Sequence, residues 1–276
     1  MSDRTLALAR FTQLVSQPET AIDLTTAALN IAQIAAPGLD ITPYQTRLQE
    51  LGRTLQANRP NPPYPLKVIQ MINRFLYEEW GFQGNQDQYY DPRNSFLNEV
   101  LDRRLGIPIS LAVLYLDLAR RVELPMVGIG MPGHFLVRPD FEDAEIFVDV
   151  FNQGEILFPQ DCMALLAQIY KHPVPFHSEY FAPVSTKSIL ARLLSNLKQI
   201  YLNQGKLEQM LWTVDGILAL FPDHAPERKV RGLVHFELGH WIAAQTDLQL
   251  YLETIPQLEE ARFIEHLLSQ IAERLD

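Results

Sequence analysis

Apolar positions along the first 57 residues recur three and four apart, the spacing that lines one face of a helix. "DRTLALARFTQLVSQ", "AIDLTTAALNIAQIA" and "TPYQTRLQELGRTLQ" each predict an amphipathic helix, and Thr42 followed by Pro43 marks the start of the third. The proline-rich run "NRPNPPYPL" (58–66) breaks the pattern and predicts a linker, because proline removes backbone donors. Helical spacing resumes in "LKVIQMINRFLYEEWGF" and stops at Gly81. "QGNQDQYYDPRNS" then reads as a polar loop, and "SFLNEVLDRRLG" as a short helix with Ser95 as its cap.

"IPISLAVLYLDLARRVEL" is apolar around most of its circumference. It predicts a central buried helix beginning near Pro108, with Leu111, Leu114, Tyr115 and Leu118 inward. The period then shortens to two in "PMVGIGM", "HFLVRP" and "EIFVDVF", which predict successive antiparallel strands. A buried helix running into a small sheet is an α+β core. From Thr186 the pattern is helical again and repeats. "YLNQGKLEQMLWTVDGILALFP" (201–222) aligns with "HFELGHWIAAQTDLQLYLETIP" (235–256) at an offset of 34 residues, pairing Gly205 with Gly239, Leu207 with Trp241, Leu218 with Leu252 and Pro222 with Pro256. That period, with a glycine at the turn and a proline closing the second helix, is the tetratricopeptide spacing. "QLEEARFIEHLLSQIAERL" supplies a last helix. The chain therefore divides into an N-terminal helical segment (1–57), a mostly helical α+β core (66–180) and helical repeats (186–276).

Composition narrows the functions this organisation can serve. Apolar residues make up 47% and charged residues 20%, a globular balance. Thirty-three acidic against 23 basic side chains give a net charge of −10, which repels phosphate backbones and argues against nucleic-acid binding. The basic clusters "DRRLG" and "ARRVE" fall within amphipathic segments. No stretch approaches the run of about 20 apolar residues that a membrane span needs, and no signal-peptide pattern opens the chain. A single cysteine, Cys162, excludes an internal disulfide and suits a cytoplasmic setting. It opens the helical "DCMALLAQ" and reads as a buried, inert thiol. His172 with His177, and His235 with His240, lack the spacing and acidic partner of a zinc site, and "GIG" lacks the surroundings of a dinucleotide fingerprint, so no metal or cofactor is expected.

The candidate chemistry lies in "PGHFLVRPDFEDAEIFVDVFNQG" (132–154). His134 sits in a Pro-Gly turn ahead of one strand, and Asp149 sits within the next. Alternation puts His134 with Leu136 and Arg138, and Asp149 with Phe147 and Phe151. A buried helix followed by a His strand and then an Asp strand is the order of the transglutaminase-like, papain-related fold. There a nucleophile at the helix N-terminus is activated by the His, which the Asp orients. "NEVLDRRLGIPISLAVLYLDLARR", "GMPGHFLVRP" and "FVDVFNQGEIL", followed by repeats, resemble the SirB-type transglutaminase-like proteins from about residue 66 to the C-terminus. The resemblance implies a transglutaminase-like core with a C-terminal tetratricopeptide domain. It also matches His134 to the family's histidine and Asp149 to its acidic residue. The cysteine of active transglutaminases falls at Pro108 or Ser110. Ser110 is the one nearby side chain with nucleophilic chemistry, while Asn98, Glu99, Pro108, Gly133 and Phe135 are expected along the cleft.

Two functions follow as expectations. One is an interaction or assembly adaptor: a core without its cysteine, taking a protein or peptide partner through its cleft and repeats. The other is a hydrolase or acyl-transferase using a Ser110–His134–Asp149 triad, in which serine would depend on His134 as general base.

Overall fold

The computed structural model describes residues 3–141, 145–254 and 258–275. Three helices open the chain: α1 (Asp3–Val15), α2 (Leu24–Ala35) and α3 (Thr42–Ala57). Asp23 caps α2 by accepting from the Thr26 N–H at 2.8 Å. The fourth helix, α4 (Pro65–Asn73), begins on a proline, where a missing N–H costs least. It runs on as a π-helical turn over Arg74–Glu79 and ends as the chain turns at Gly81, whose φ is +69°.

The segment read as a loop after Gly81 is more structured than its polarity suggests. Gln83–Gly84 (β1) pairs in parallel with Leu105–Gly106 (β2), and residues 92–95 form a 3₁₀ turn capped by Asp91. Ser95 belongs to that turn and does not cap the following helix, α5 (Leu97–Arg103), whose N-cap is Phe96. Tertiary pairing of β1 with β2 is the reason: a two-residue strand carries no periodicity to read.

Helix α6 (Pro108–Arg121) is the buried axis of the molecule, with Leu111, Leu114, Tyr115 and Leu118 all inside. Beside it lies a five-stranded antiparallel sheet in the order β6-β5-β4-β3-β7. Its members are β3 (Met126–Ile129), β4 (Leu136–Pro139), β5 (Phe147–Asp149), β6 (Glu155–Leu157) and β7 (Pro183–Val184). The two edge strands have two or three residues each and are not distinguishable from loop by pattern. Alternation sorts the strands' side chains between two cores. Phe135, Val137 and Val148 join the main cluster around α6, whereas Leu136 and Phe147 pack with Cys162 and Leu166 of α7 (Pro159–Tyr170).

The C-terminal helices are α8 (Thr186–Asn203), α9 (Leu207–Leu220), α10 (Ala225–Glu237), α11 (Trp241–Leu252) and α12 (Leu258–Leu275). Gly205 and Gly239 occupy equivalent turns, with φ of +65° and +73°, a conformation that favours glycine. Pro256, the expected close of the second repeat, lies outside the described residues. One hydrophobic cluster runs without interruption from Ala7 in α1 to Val234 in α10. N-terminal helices, core and first repeat thus share a single interior. The second repeat and α12 keep a separate cluster, which includes Ala244, Leu248, Tyr251, Ile264, Leu267 and Ile271. Among the described residues, no helix is long and apolar enough to cross a membrane.

Candidate functional site

His134 is carried in the turn between β3 and β4, where its N–H donates to the Met131 carbonyl at 3.1 Å. Gly133, at φ +74°, makes that turn. A Cβ there would come within 2.7 Å of Ile169 on α7, so the turn is seated tightly against that helix. Val137 pairs with Val148, and continuing that register sets His134 diagonally across from Asp149. Their side chains meet: His134 Nε2 lies 2.9 Å from Asp149 Oδ2, with the two residues 8% and 1% exposed. The approach is close but poorly aligned, because Nε2 makes no hydrogen bond of good angle. It is a close polar contact more than a directed bond. The Phe151 ring stands nearly perpendicular to the imidazole, with centroids 6.3 Å apart.

Asp149 is held mainly by its own turn. The N–H groups of Phe151 and Asn152 donate to Oδ1 at 3.0 and 3.2 Å, and the Asn152 amide donates to Oδ2 at 2.8 Å. Burial, the largest single influence, pushes the carboxyl group's pKa up. The contacts from His134 and Asn152 together outweigh it and hold the pKa below the ordinary value of 3.8. Asp149 is therefore a carboxylate. Its charge also raises the pKa of the buried Tyr77 hydroxyl, which donates to the Val150 carbonyl at 3.0 Å, and of the Cys162 thiol. Burial is the main cause at Cys162, pushing the thiol up to about 12, so it stays protonated and unreactive.

Ser110 lies in the first turn of α6, 1% exposed, and its hydroxyl is engaged elsewhere. It donates to the Asn94 carbonyl at 2.6 Å and accepts from the Ile107 N–H at 3.0 Å. No hydrogen bond joins it to His134. Asn94, fully buried, ties the 85–95 segment down over this helix end. Its amide donates to the carbonyls of Gln88 and Tyr89 at 2.7 and 3.2 Å, and its oxygen accepts from Asn85 at 3.0 Å and Arg103 at 3.3 Å. The sequence pattern missed Asn85 and Asn94. The only signal was the density of Asn and Gln in a stretch read as loop.

The expected cleft residues scatter. Pro108 is buried at the start of α6, and Phe135 packs its ring against Gly128 in the main core. Asn98 and Glu99 stand beside Tyr44 of α3: the Asn98 amide reaches its hydroxyl, which donates to Asp102 at 2.8 Å. Asn98 Oδ1 is buried without a hydrogen-bond partner. A cavity of about 640 Å³ opens between residues 20–25, the C-terminal end of α6 and β3, and His134 is not in its wall. Among the described residues, no three metal-ligating side chains are grouped to hold an ion. His235 and His240 do meet across the second repeat's turn, with their Nδ1 atoms 3.2 Å apart.

Comparison with known proteins matches residues 42–195 to the transglutaminase-like superfamily and residues 197–269 to the tetratricopeptide repeat. A UPF0162 protein of Xylella fastidiosa is 35% identical over 278 residues, covering 98% of both chains. Another from Vibrio cholerae is 33% identical over 185 residues, covering 66% of this chain and 68% of its own length. Human F-box only protein 21 is 31% identical over 186 residues, which are 63% of this chain but 29% of that much longer protein. No solved structure matches the chain.

Proposed function

The chain belongs to the transglutaminase-like superfamily, and from that premise we propose that it is an interaction or assembly adaptor, engaging a protein or peptide partner through its core cleft and its repeats. The observation that carries this reading is the position of the Ser110 hydroxyl. A serine nucleophile needs its proton directed at a general base. Here that proton goes to the Asn94 carbonyl, at the helix end where an active relative would present its nucleophile. The hydroxyl therefore fastens the 85–95 segment to α6. Tetratricopeptide helices favour the same reading, since stacked helix pairs present surfaces suited to peptides and helices. A cytoplasmic setting fits the single buried thiol.

A hydrolase or acyl-transferase using Ser110, His134 and Asp149 is the second reading, favoured by the 2.9 Å contact between His134 and Asp149. The two separate on treatment with a biotinylated fluorophosphonate, which labels activated serines. The adaptor reading expects no label on Ser110. Label at Ser110 that disappears in both Ser110→Ala and His134→Ala would overturn it.

A further inference from the structure

The amide-rich stretch "QGNQDQ" and the turn "FNQG" are far apart in sequence, yet they form the two walls of one polar cleft. Its volume is about 520 Å³, and it is lined by residues 83–87, Leu105 and residues 151–153. Asn152, in one wall, is the residue whose amide holds Asp149, so the cleft lies directly outside the His134–Asp149 pair. Among the described residues, the side-chain amides of Gln83, Gln86 and Gln153 have no partner within the chain, and all three are exposed. Gln153 is also held at φ +55°, a left-handed conformation uncommon for a residue with a Cβ. The backbone adds a further feature. The N–H groups of Gln83 and Asn85 both donate toward β2, to the carbonyls of Arg104 and Gly106 at 2.9 Å. By strand alternation, Gly84 turns its own N–H and C=O to the opposite edge of β1.

We propose that this cleft binds an extended, uncharged polypeptide segment, which pairs its main chain with the open edge of β1 and its amide groups with Gln83, Gln86 and Gln153. The proposal rests on the adaptor reading and names what the core cleft holds. A carboxamide carries a donor and an acceptor side by side, the same pair that a peptide group presents, and strand addition supplies the rest of the recognition. Among the described residues, Asp87 is the one charged side chain in the lining, so amides and not charges dominate what the cleft presents to a ligand. Carbohydrate would use the same amides but usually adds an aromatic face to stack on. Phe151 offers no such face here: its ring packs so closely on Gly84 that a Cβ there would lie 2.5 Å away, and it stands T-shaped to both Tyr89 and His134. The same contact explains why position 84 is glycine.

The test is selection of a random-peptide phage library on the full-length protein, followed by NMR with the synthesised peptides. Expected are peptides without net charge that shift the Gly84 backbone amide and the side-chain amides of Gln83, Gln86 and Gln153. Their affinity should fall about tenfold or more in Gln86→Ala/Gln153→Ala, since several hydrogen bonds are lost together. Both side chains are exposed, and a circular dichroism melt confirms that the variant is folded. Failure of any clone to enrich, or binding unchanged in the double variant, would overturn the proposal. So would maltotriose or chitotriose shifting these amides where the peptides do not. Peptides that map instead to α8–α12 would remove this site and leave the adaptor reading standing. Fluorophosphonate labelling of Ser110 would remove the adaptor reading and leave the cleft's peptide binding to be judged on its own data.

Discussion

Ser110 works through its hydroxyl, which joins the backbone of the 85–95 segment to the start of α6. Removing its hydroxyl leaves the Asn94 carbonyl and the Ile107 N–H without their partner in a buried setting, a loss that ordinarily costs about 1–3 kcal/mol. Ser110→Ala is expected to destabilise the protein by that amount in urea unfolding. A change near zero would mean that the hydroxyl does not hold the 85–95 segment. Asp149 makes a prediction about pH. Its folded pKa is depressed below 3.8, so its charge stabilises the fold fully above the unfolded value, and that contribution is lost as pH falls through the folded value. Wild type should exceed Asp149→Asn in urea midpoint at neutral pH, and the gap should narrow as pH falls below the ordinary carboxylate value of 3.8 and on through the lower folded value. A gap that persists at low pH would assign the effect to the Asx turn alone and not to the charge.

At the scale of elements, α6 carries the core and the sheet positions the His134–Asp149 pair. Leu114 is fully buried in α6, between the N-terminal helices and the sheet. Leu114→Ala should cost about 2–5 kcal/mol, the range for large-to-small changes in a packed interior, and a chemical-denaturation midpoint reads it directly. A cost well under 1 kcal/mol would show that the helix collapses around the gap or lies less centrally than its burial indicates. The hairpin β4–β5 works through register more than through stability. Because Val137 pairs with Val148, His134 and Asp149 come within reach of each other, and a slip of one residue would send them to opposite faces.

For the whole molecule, the shared cluster from α1 to α10 predicts cooperative unfolding across the expected domain boundaries. Trp80 reports on the core, where Arg47 and Arg104 lie over its ring. Trp212 reports on the first repeat, where it stacks on Phe96. In variants keeping one tryptophan at a time, thermal transitions at Trp80 and Trp212 should coincide. Trp241 packs with the separate cluster of the second repeat and α12, and should report an earlier transition. Trp212 melting apart from Trp80 would mean that the repeats fold as an independent unit.

Some of this was legible in the chain alone. Helix α6 is apolar on nearly all sides, and the 34-residue period repeats its glycines, so local pattern suffices for the buried axis and the repeats. The family motif likewise points to His134 and Asp149 from the residues alone. Three features needed the tertiary structure. The pairings of β1, β2, β6 and β7 involve strands of two or three residues, too short for periodicity to show. The commitment of Ser110 to Asn94 joins residues 16 apart through a loop whose path no propensity encodes. The polar cleft beside Asp149 exists only because residues 83–87 and 151–153 are folded against each other. Periodicity records which face of an element is buried, but not which distant polar groups meet, because hydrogen bonds between segments depend on where the packed core places them.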